Sequence, residues 1–584
     1  NIINESSDTI TIGASGDTVN VVGTLQNNGG SLAGVTFKEG GTNFTNSLLV
    51  GTSSTGTLSS ADGNTGVGTG VFAALTTGDC NVAVGLNSLT ANTTGRYNTA
   101  LGVNALNANT TAEYNVAVGF CALDTNSTGA ENTSVGTRAL FANTTASGNA
   151  AVGFNALCDN TTGANNTAVG WRSLFDNTTA DDNVAVGKSA LQVNTTGAQN
   201  TSVGTASSDA NTTGAENTAM GACALGANTT ACYNTAIGKS TMASNTTGAS
   251  NTAVGKDAML SNTTGACNVA IGANSLYTIT TTSKNTAVGA CALESNTGSN
   301  NTAIGALSLN DNTSASNNVA VGFCASHKIT TGTDNVSVGT ATLSENTTGS
   351  NNTALGRLAL QNNTTGANNT AIGYQALNKQ TTPGENTAVG CRAGGCTTTA
   401  DYTTAVGVNA LVVQTTGACN TAVGMQSGDS VTTGYQNALY GWKSGDQLNV
   451  GYCNTMIGVY AGHTNTSGYC NTYIGRDAKG NASDTNNQVV IGSVVTGNGT
   501  QTAFIAGTSG AYNGANNSSW STTSDRRIKK NIVDNTIGLD KINQIQVRNF
   551  KYRTPEEITE LPKHSAIDKQ GIQIGAIAQE IEEI

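Results

Sequence analysis

A short pattern of alternating polar and apolar positions that ends in glycine returns along most of this chain. It reads N-T-A-V-G, and its glycine recurs every 17 residues from Gly68 to Gly289 and again from Gly305 to Gly492. A single 16-residue step separates the two runs, so that the glycines mark 26 units. A pattern that keeps its phase over this length indicates one structural unit repeated along the chain.

The same residue types occupy the same places in successive units. Asn lies four residues before the glycine in 24 of the 26 units, as at Asn81, Asn98, Asn115 and Asn132. Val, Ile, Leu or Met comes directly before the glycine, except at Tyr440. Small residues lie two before and three after it, Leu is common four after it, and a polar Asn-Thr-Thr turn completes the unit.

Alternation with a period of two predicts that each N-T-A-V-G segment is a short β-strand. A unit of this size suits one coil of a parallel β-solenoid with two short strands and two turns, with successive coils stacked about 4.8 Å apart. We expect the Val/Ile and Leu positions to form an internal apolar ladder and the Asn positions an amide ladder. Glycines such as Gly85, Gly102 and Gly119 are expected where φ is positive or where another backbone comes close.

The small residues on either side of each glycine allow two interpretations. Small side chains on a strand face let a second backbone pack closely, which favours several copies of the chain around a symmetry axis. Alternatively, Ala and Ser simply fill a narrow coil interior. Near the end of the repeats, the Leu position is taken by Gly394, Gly428, Gly445 and Gly462, which predicts a change of cross-section over about residues 390–480.

The segments that flank the repeats differ from them in composition. We predict an N-terminal β-rich segment over 1–63, the solenoid over 64–492 and a Gly-, Ser- and Thr-rich connector over 493–523. From Ser524 the chain is rich in charged residues, and it contains a helix-like stretch from Gly575 to Ile581. We therefore predict a separate, small C-terminal domain with some α-helix over 524–584.

Two sets of residues resemble known families. The N-x-[Ala/Ser]-[Val/Ile]-Gly strand with a small residue three later resembles the head repeats of YadA-like trimeric autotransporter adhesins, and similar repeats in phage tail fibres. That resemblance implies a left-handed parallel β-roll built as a homotrimer. The S-D-x-R-x-K opening at Ser524 and the later G-x-I-A-Q-E motif resemble the intramolecular chaperone of endosialidases and other phage tail spikes, peptidase family S74.

The second resemblance implies a reaction. In that family the domain promotes trimerisation and then cuts itself off, which places the scissile bond at Ser524–Asp525, with Ser524 as nucleophile and Lys529 as base. A Ser hydroxyl needs a neighbouring base, and a partly desolvated Lys can serve. The alternative is that both are ordinary surface residues at a linker and a helix start. The other matched motif residues are Asp525, Arg527, Gly575, Gln579 and Glu580.

Charge and composition narrow the function classes. Only 10% of residues are charged and the net charge is −11, which argues against a nucleic-acid partner. No apolar run is long enough to predict membrane insertion. His327, His463 and His564 are isolated, so we expect no metal and no cofactor. The 13 cysteines are either tolerated small residues or disulfide staples, and only Cys453 and Cys470 share a column in adjacent units.

We therefore expect a structural fibre protein rather than a metabolic enzyme, with one self-cleavage as its only reaction. The favoured function is a phage tail fibre of the virion that binds a host cell-surface receptor, either a glycan or a protein. A bacterial adhesin or filament on the extracellular surface is the alternative. An ice-binding solenoid with Thr ladders such as Thr93–Thr94, and a fibre-borne depolymerase, are further hypotheses.

Overall fold

The computed structural model describes residues 31–32, 35–39, 43–51, 55–506, 511–514, 521–522, 544–551, 557 and 571–575. The chain divides into two compact units. The first comprises Asn1–Gly507 and Tyr512–Ser518, and it contains all of the repeats. The second comprises Thr508–Ala511 and Ser519–Ile584.

The described residues contain strands and turns and no helix. The strands are β1 (Ser31–Leu32), β2 (Val35–Glu39), β3 (Leu48–Val50), β4 (Thr65–Val67), β5 (Val82–Val84), β6 (Thr99–Leu101), β7 (Val116–Val118), β8 (Thr133–Val135), β9 (Ala150–Val152), β10 (Thr167–Val169), β11 (Val184–Val186), β12 (Thr201–Val203), β13 (Thr218–Met220), β14 (Thr235–Ile237), β15 (Thr252–Val254), β16 (Val269–Ile271), β17 (Thr286–Val288), β18 (Thr302–Ile304), β19 (Val319–Val321), β20 (Val336–Val338), β21 (Thr353–Leu355), β22 (Thr370–Ile372), β23 (Thr387–Val389), β24 (Thr404–Val406), β25 (Thr421–Val423), β26 (Ala438–Tyr440), β27 (Thr455–Ile457), β28 (Thr472–Ile474), β29 (Val489–Ile491), β30 (Thr502–Ile505), β31 (Ala511–Gly514), β32 (Ser521–Thr522), β33 (Arg548–Phe550) and β34 (Gln573–Gly575).

Strands β3 to β30 form one parallel ladder, in which each strand pairs in register with the strand of the next coil. The register survives the 16-residue unit, where Thr286 pairs with Thr302. At the N-terminal end β2 pairs with β3 antiparallel, and β1 with β2. The predicted all-β parallel solenoid is confirmed, with about 27 turns at a spacing of about 17 residues.

Each repeat contributes one three-residue strand, so the prediction of two strands per coil is wrong. The return half of the coil is a run of turns held by hydrogen bonds to the next coil, such as Leu106 N to Ala122 O at 3.0 Å. Leu89 and Leu106 have φ values of 50° and 51°. A left-handed residue interrupts an extended backbone, which is why no second strand forms there.

The interior of each coil is filled by the small strand residue and by the residues three and four after the glycine. Ala100, Ala105 and Leu106 are fully buried, and equivalent residues form continuous clusters along the solenoid. The Leu ladder is therefore confirmed, but the residue before each glycine points outward, so the predicted internal Val/Ile ladder is wrong. Leu from the turn segment leaves room only for a small residue, Ala or Ser, on the inner side of the strand, which favours the second interpretation of the small residues.

Two columns of buried asparagine run along the solenoid, and most coils contribute one residue to each column. Asn98 Nδ2 donates to Asn81 Oδ1 at 3.1 Å and to Ala112 O at 2.8 Å, and Asn98 Oδ1 accepts from Asn115 N at 3.0 Å. Asn132 continues this column above Asn115. A second column in the turn segments, which the sequence analysis did not identify, links Asn109 Nδ2 to Asn92 Oδ1 at 3.0 Å. Most of these carboxamides are paired with protein groups, so their burial leaves few polar atoms unsatisfied. The exceptions in the second column are Asn262 Oδ1 and Asn363 Oδ1, which have no hydrogen-bond partner among the described residues.

The glycine that ends each strand is required by the next coil. Gly85, Gly102 and Gly119 have φ values of 130°, 141° and 140°. A Cβ on Gly102 would lie 2.3 Å from the carbonyl oxygen of Gly119. A side chain here would therefore meet both an unfavourable φ and a backbone contact that cannot move aside.

The predicted change of cross-section corresponds to an exchange of core residues. Leu439, Met456 and Tyr473 replace the inner Ala of β26, β27 and β28, and each is fully buried. Gly445 lies where earlier coils have Leu, and its φ of 61° is close to theirs. A Cβ on Gly445 would lie 3.0 Å from Leu439 Cδ2, so the strand residue fills the space that Leu fills in earlier coils.

In the second unit, β33 pairs with β34 antiparallel, and Arg548 lies opposite Gly575. Gly575 therefore ends a strand and does not begin a helix as predicted. The rest of the helix-like stretch lies outside the described residues.

Candidate functional site

The outward side of the parallel ladder is a continuous uncharged surface with a column of apolar side chains along it, which we call the strand face. It is formed by the residues one and three before each repeat glycine, from β4 to β29. The first is Val, Ile, Leu or Met, apart from Tyr440, and the second is Thr, Val or Ala. The strand face therefore carries no charged side chain in any of its 26 coils.

Large apolar side chains on the strand face are open to solvent in the single chain. Those directly before the glycine that are most exposed have 36% to 47% of their surface accessible. They are Val67, Leu101, Val135, Val152, Val169, Met220, Ile237, Ile271, Ile304, Leu355, Tyr440 and Ile457. Their spacing by one or a few coils makes them one stripe rather than scattered positions.

Aromatic residues extend this apolar surface at several coils. Phe120, Phe154, Trp171, Phe323 and Trp442 each follow a repeat glycine, and each is exposed. They occupy the turn that leaves the strand, so they lie at the edge of the strand face. The edge is thus apolar at these coils and polar at others.

The cysteines of the solenoid are free thiols. Burial raises the pKa of Cys158 to about 12, with Asp159 as a further cause. The pKa of Cys453 is raised by burial and then by the neighbouring Cys470, and its Sγ donates to Gln436 Oε1 at 3.2 Å. Because a thiol rather than a thiolate is favoured at these positions, neither residue is set up as a nucleophile.

The residues predicted to perform self-cleavage lie outside the described residues. This applies to Ser524, Asp525, Arg527, Lys529, Gln579 and Glu580. Gly575 alone of that set is placed, at the end of β34. Their roles stay predictions.

The two described histidines lie beside carboxylates. His463 Nδ1 is 3.0 Å from Asp477 Oδ1, and His327 Nδ1 is 3.7 Å from Asp311 Oδ2. Across the part of the chain that the structure describes, no group of three or more His, Cys, Asp or Glu side chains is placed to hold a metal ion. In that same part, no helix has the length and apolar character needed to cross a membrane.

Comparison with protein families gives one match, at the C-terminal end. Residues 524–584 match the peptidase S74 family model, described as chaperone of endosialidase. The match begins at Ser524 and covers both motifs, so the resemblance of these residues to that family is confirmed. Comparison with curated proteins gave no match, and comparison with solved structures gave none. The chain thus joins a parallel β-solenoid to a C-terminal segment that is similar to the chaperone of endosialidases.

Proposed function

We propose that the chain is the shaft of a homotrimeric phage tail fibre of the virion, in which copies of the chain associate through the strand face. The C-terminal segment assists this assembly and is then released by cleavage at Ser524–Asp525. The shaft presents a surface that binds a receptor on the host cell, either a glycan or a protein. The observation that carries the proposal is the uncharged, apolar strand face.

A parallel sheet with one open apolar face is unusual in proteins. All-parallel sheets are almost always covered on both faces, and exposed apolar patches beyond a few hundred Å² mark interaction sites. Coils stacked about 4.8 Å apart give a strand face roughly 120 Å long. Even a strip of about 10 Å width offers roughly 1,200 Å², more than the ~800 Å² per partner typical of stable complexes.

Copies of this chain are the partner that best fits the repeat. The apolar side chains of the strand face recur once per coil. Only a partner whose own contact residues have that same spacing can contact them along the whole length of the solenoid. A second copy of the solenoid has that spacing by construction of the repeat, whereas a globular partner could cover only a few coils. The number three follows from the resemblance to trimeric adhesins and tail fibres, and symmetric closure explains why the stripe would not drive open-ended aggregation.

The C-terminal match supports assisted assembly. A long parallel ladder has many near-equivalent registers between copies, so a domain that brings three chains together at one end would favour the aligned one. In the proposed cleavage Lys529 takes the proton of Ser524 Oγ, which attacks the carbonyl carbon of Ser524 in a neighbouring copy of the chain, since attack on its own carbonyl would close a four-membered ring. The C–N bond to Asp525 breaks, the amine of Asp525 leaves with the proton from Lys529, and water hydrolyses the resulting ester. The same architecture would suit a bacterial surface adhesin, which differs in what precedes the shaft.

Mass measurement of the full chain tests the association. We expect three times the chain mass by sedimentation equilibrium for the wild type. The Val152→Asp, Val169→Asp double variant should give single chains with an unchanged β-type circular dichroism spectrum, because it places charge on the strand face. The control is Thr162→Asp, Thr179→Asp, which places the same charges on exposed turn residues of neighbouring coils. A monomeric wild type would contradict the proposal, and thermal hysteresis in that monomer would favour an ice-binding face.

A separate variant tests the cleavage. The wild type should lose residues 525–584 after assembly, whereas Ser524→Ala should keep them, as intact-mass spectrometry would show. Lys529→Met should behave as Ser524→Ala if Lys529 is the base. A wild type that stays at full length while forming trimers would remove the cleavage step and leave the shaft unaffected.

A further inference from the structure

A small cavity lies outside the strand face, between the turn segments that follow β22, β23 and β24. Its volume is about 130 Å³. Asn378, Gly395 and Val412 occupy the same position in three successive coils, and all three line the cavity. Because Gly395 has no side chain, a gap is left where the coils on either side carry Asn and Val.

Two cations from adjacent coils line this gap. They are Lys379, after β22, and Arg392, after β23. Four basic side chains elsewhere in the solenoid pair with carboxylates, as Lys328 does with Glu345 at 2.6 Å and Lys479 with Asp477 at 3.1 Å, whereas others such as Lys239 have no ion pair in the part of the chain that the structure describes. What distinguishes Lys379 and Arg392 is that the two line the same gap. Within the described ranges no carboxylate lies within ion-pair distance of Lys379 or Arg392.

The nearest acidic residues along the chain are placed in other parts of the coil. Glu385 and Asp401 precede β23 and β24, and Asp401 Oδ1 accepts a hydrogen bond from Gly384 N at 2.8 Å. The cavity is thus a local positive site in a chain of net charge −11. An anion would be repelled by most of the chain and attracted here.

The remaining lining is mixed: Gln375 and Asn378 contribute amides, and Cys396 and Val412 contribute less polar side chains. Asn378 Nδ2 donates to Leu358 O at 2.9 Å and to Gln361 Oε1 at 3.1 Å, which holds that side chain in place. A volume of about 130 Å³ corresponds to roughly four water molecules, which is room for one carboxylate or phosphate group.

We propose that this cavity binds an oxyanion, a carboxylate or phosphate group carried by a small or larger ligand, held by Lys379 and Arg392. The guanidinium of Arg392 offers two parallel N–H donors to an oxyanion, and the ammonium of Lys379 supplies a second charge. The cavity lies in turn segments, so this inference is independent of self-association through the strand face.

Calorimetric titration of the full chain at low ionic strength tests this inference, with inorganic phosphate, glucuronate and uncharged glucose as probes. We expect saturable binding of phosphate or glucuronate and none of glucose. Arg392→Gln and Lys379→Gln should each weaken binding by about tenfold, because each removes one charge-assisted contact. The control is Lys239→Gln, an exposed cation on another coil, which should leave binding unchanged.

The variant Gly395→Val tests whether anion binding requires the cavity itself or only the positive charge of the two nearby side chains. It keeps both cations but fills the gap with the side chain that the next coil carries as Val412. The φ of Gly395 is not left-handed, and the nearest atom to an added Cβ is Arg392 O at 3.2 Å, so the fold can accept it after a small shift. We expect at least tenfold weaker binding.

The two charged probes distinguish the source of the oxyanion. Tighter binding of glucuronate identifies a carboxylate-bearing saccharide, and tighter binding of phosphate identifies a phosphate ester. Four results would each overturn the assignment. Two concern the variants: Gly395→Val binds with unchanged affinity, or Lys239→Gln weakens binding as much as the cavity variants do. Two concern the wild type: it binds glucose as well as glucuronate, or it binds neither anion.

Discussion

The coils that contain β5 to β22 and the coils that contain β26 to β28 share one backbone conformation, but they place their large core side chain on different segments of the coil. The earlier coils place Ala, or in three cases Ser, on the inner side of the strand and mostly Leu on the turn, as Ala100 and Leu106 do. The later coils place Leu439, Met456 or Tyr473 on the strand, and glycines such as Gly445 lie on the turn positions packed against them. The two contributors to the core thus exchange roles between the two regions, because the large side chain moves from the turn segment to the strand.

Other features do not change between the two regions. The strand-end glycine keeps a φ of 141° at Gly102 and 131° at Gly441. The strand asparagine column continues, with Asn454 Nδ2 donating to Asn437 Oδ1 at 3.0 Å. The backbone geometry and the amide ladder are therefore common to both regions, whereas the apolar side chains that fill the interior differ between them.

The largest expected effect tests whether the two regions share one backbone. Gly102→Ala and Gly441→Ala should each lower the free energy of unfolding by about 4 kcal/mol, because backbone strain and a clash with the next coil's carbonyl add. Denaturant unfolding measures this loss. Gly226→Ala is the control, since an added Cβ there meets nothing closer than 3.5 Å and its φ is not left-handed. A much smaller loss at Gly441 than at Gly102 would show that the later coils have a different backbone.

The next effect tests whether core volume is exchangeable. Leu439→Ala should cost about 2–4 kcal/mol, similar to Leu106→Ala in an early coil, because each leaves a cavity. Adding Gly445→Leu to Leu439→Ala should recover about half of that loss, since the double variant recreates the early arrangement. A double-mutant cycle measures the coupling. Additive losses in the double variant would show that the two arrangements are not interchangeable.

The smallest effect concerns the hydroxyl that the later coils bring into the core. Burial raises the pKa of Tyr473 to about 12, and its hydroxyl donates to Gln488 Oε1 at 3.3 Å. Because the folded state favours the neutral phenol, the contribution of Tyr473 to stability is complete below pH 10 and falls as pH rises from about 10 to 12. The difference in tyrosinate absorbance between the wild type and Tyr473→Phe should titrate near pH 12. A midpoint near pH 10 would show that the ring is exposed to water.

Much of the coil could be predicted from the sequence, because period and column identity fix which residues stack. The Leu column, the glycine column and the strand position followed from that argument. Which side of the strand faces inward did not follow, since alternation separates two faces without naming the inner one. The side chain of Leu106 on the return segment determines which strand residue faces inward, because it leaves space in the interior for Ala100 but not for Leu101.

The turn conformation was beyond sequence reasoning for a different reason. Leu, Cys and Tyr have no preference for a left-handed backbone, yet Leu106, Cys121 and Tyr114 have φ values of 51°, 51° and 61°. Hydrogen bonds between coils impose that geometry, as with Cys121 N to Val103 O at 2.9 Å. For the self-cleavage residues the motif predicted the segment that matches a family, whereas their geometry lies outside the described residues.

The asparagine column has a further consequence for how such a molecule can evolve. Each asparagine of the strand column bonds to its neighbours in the column and to the backbone of the adjacent coil, as Asn98 does to Asn81 and Ala112. Inserting or deleting a whole coil therefore recreates the same bonds at the new junction. The distance between the two tips can therefore be adjusted in increments of about 4.8 Å without redesigning any interior contact. Duplication or loss of a single repeat in the gene would therefore change the length of the solenoid by one coil.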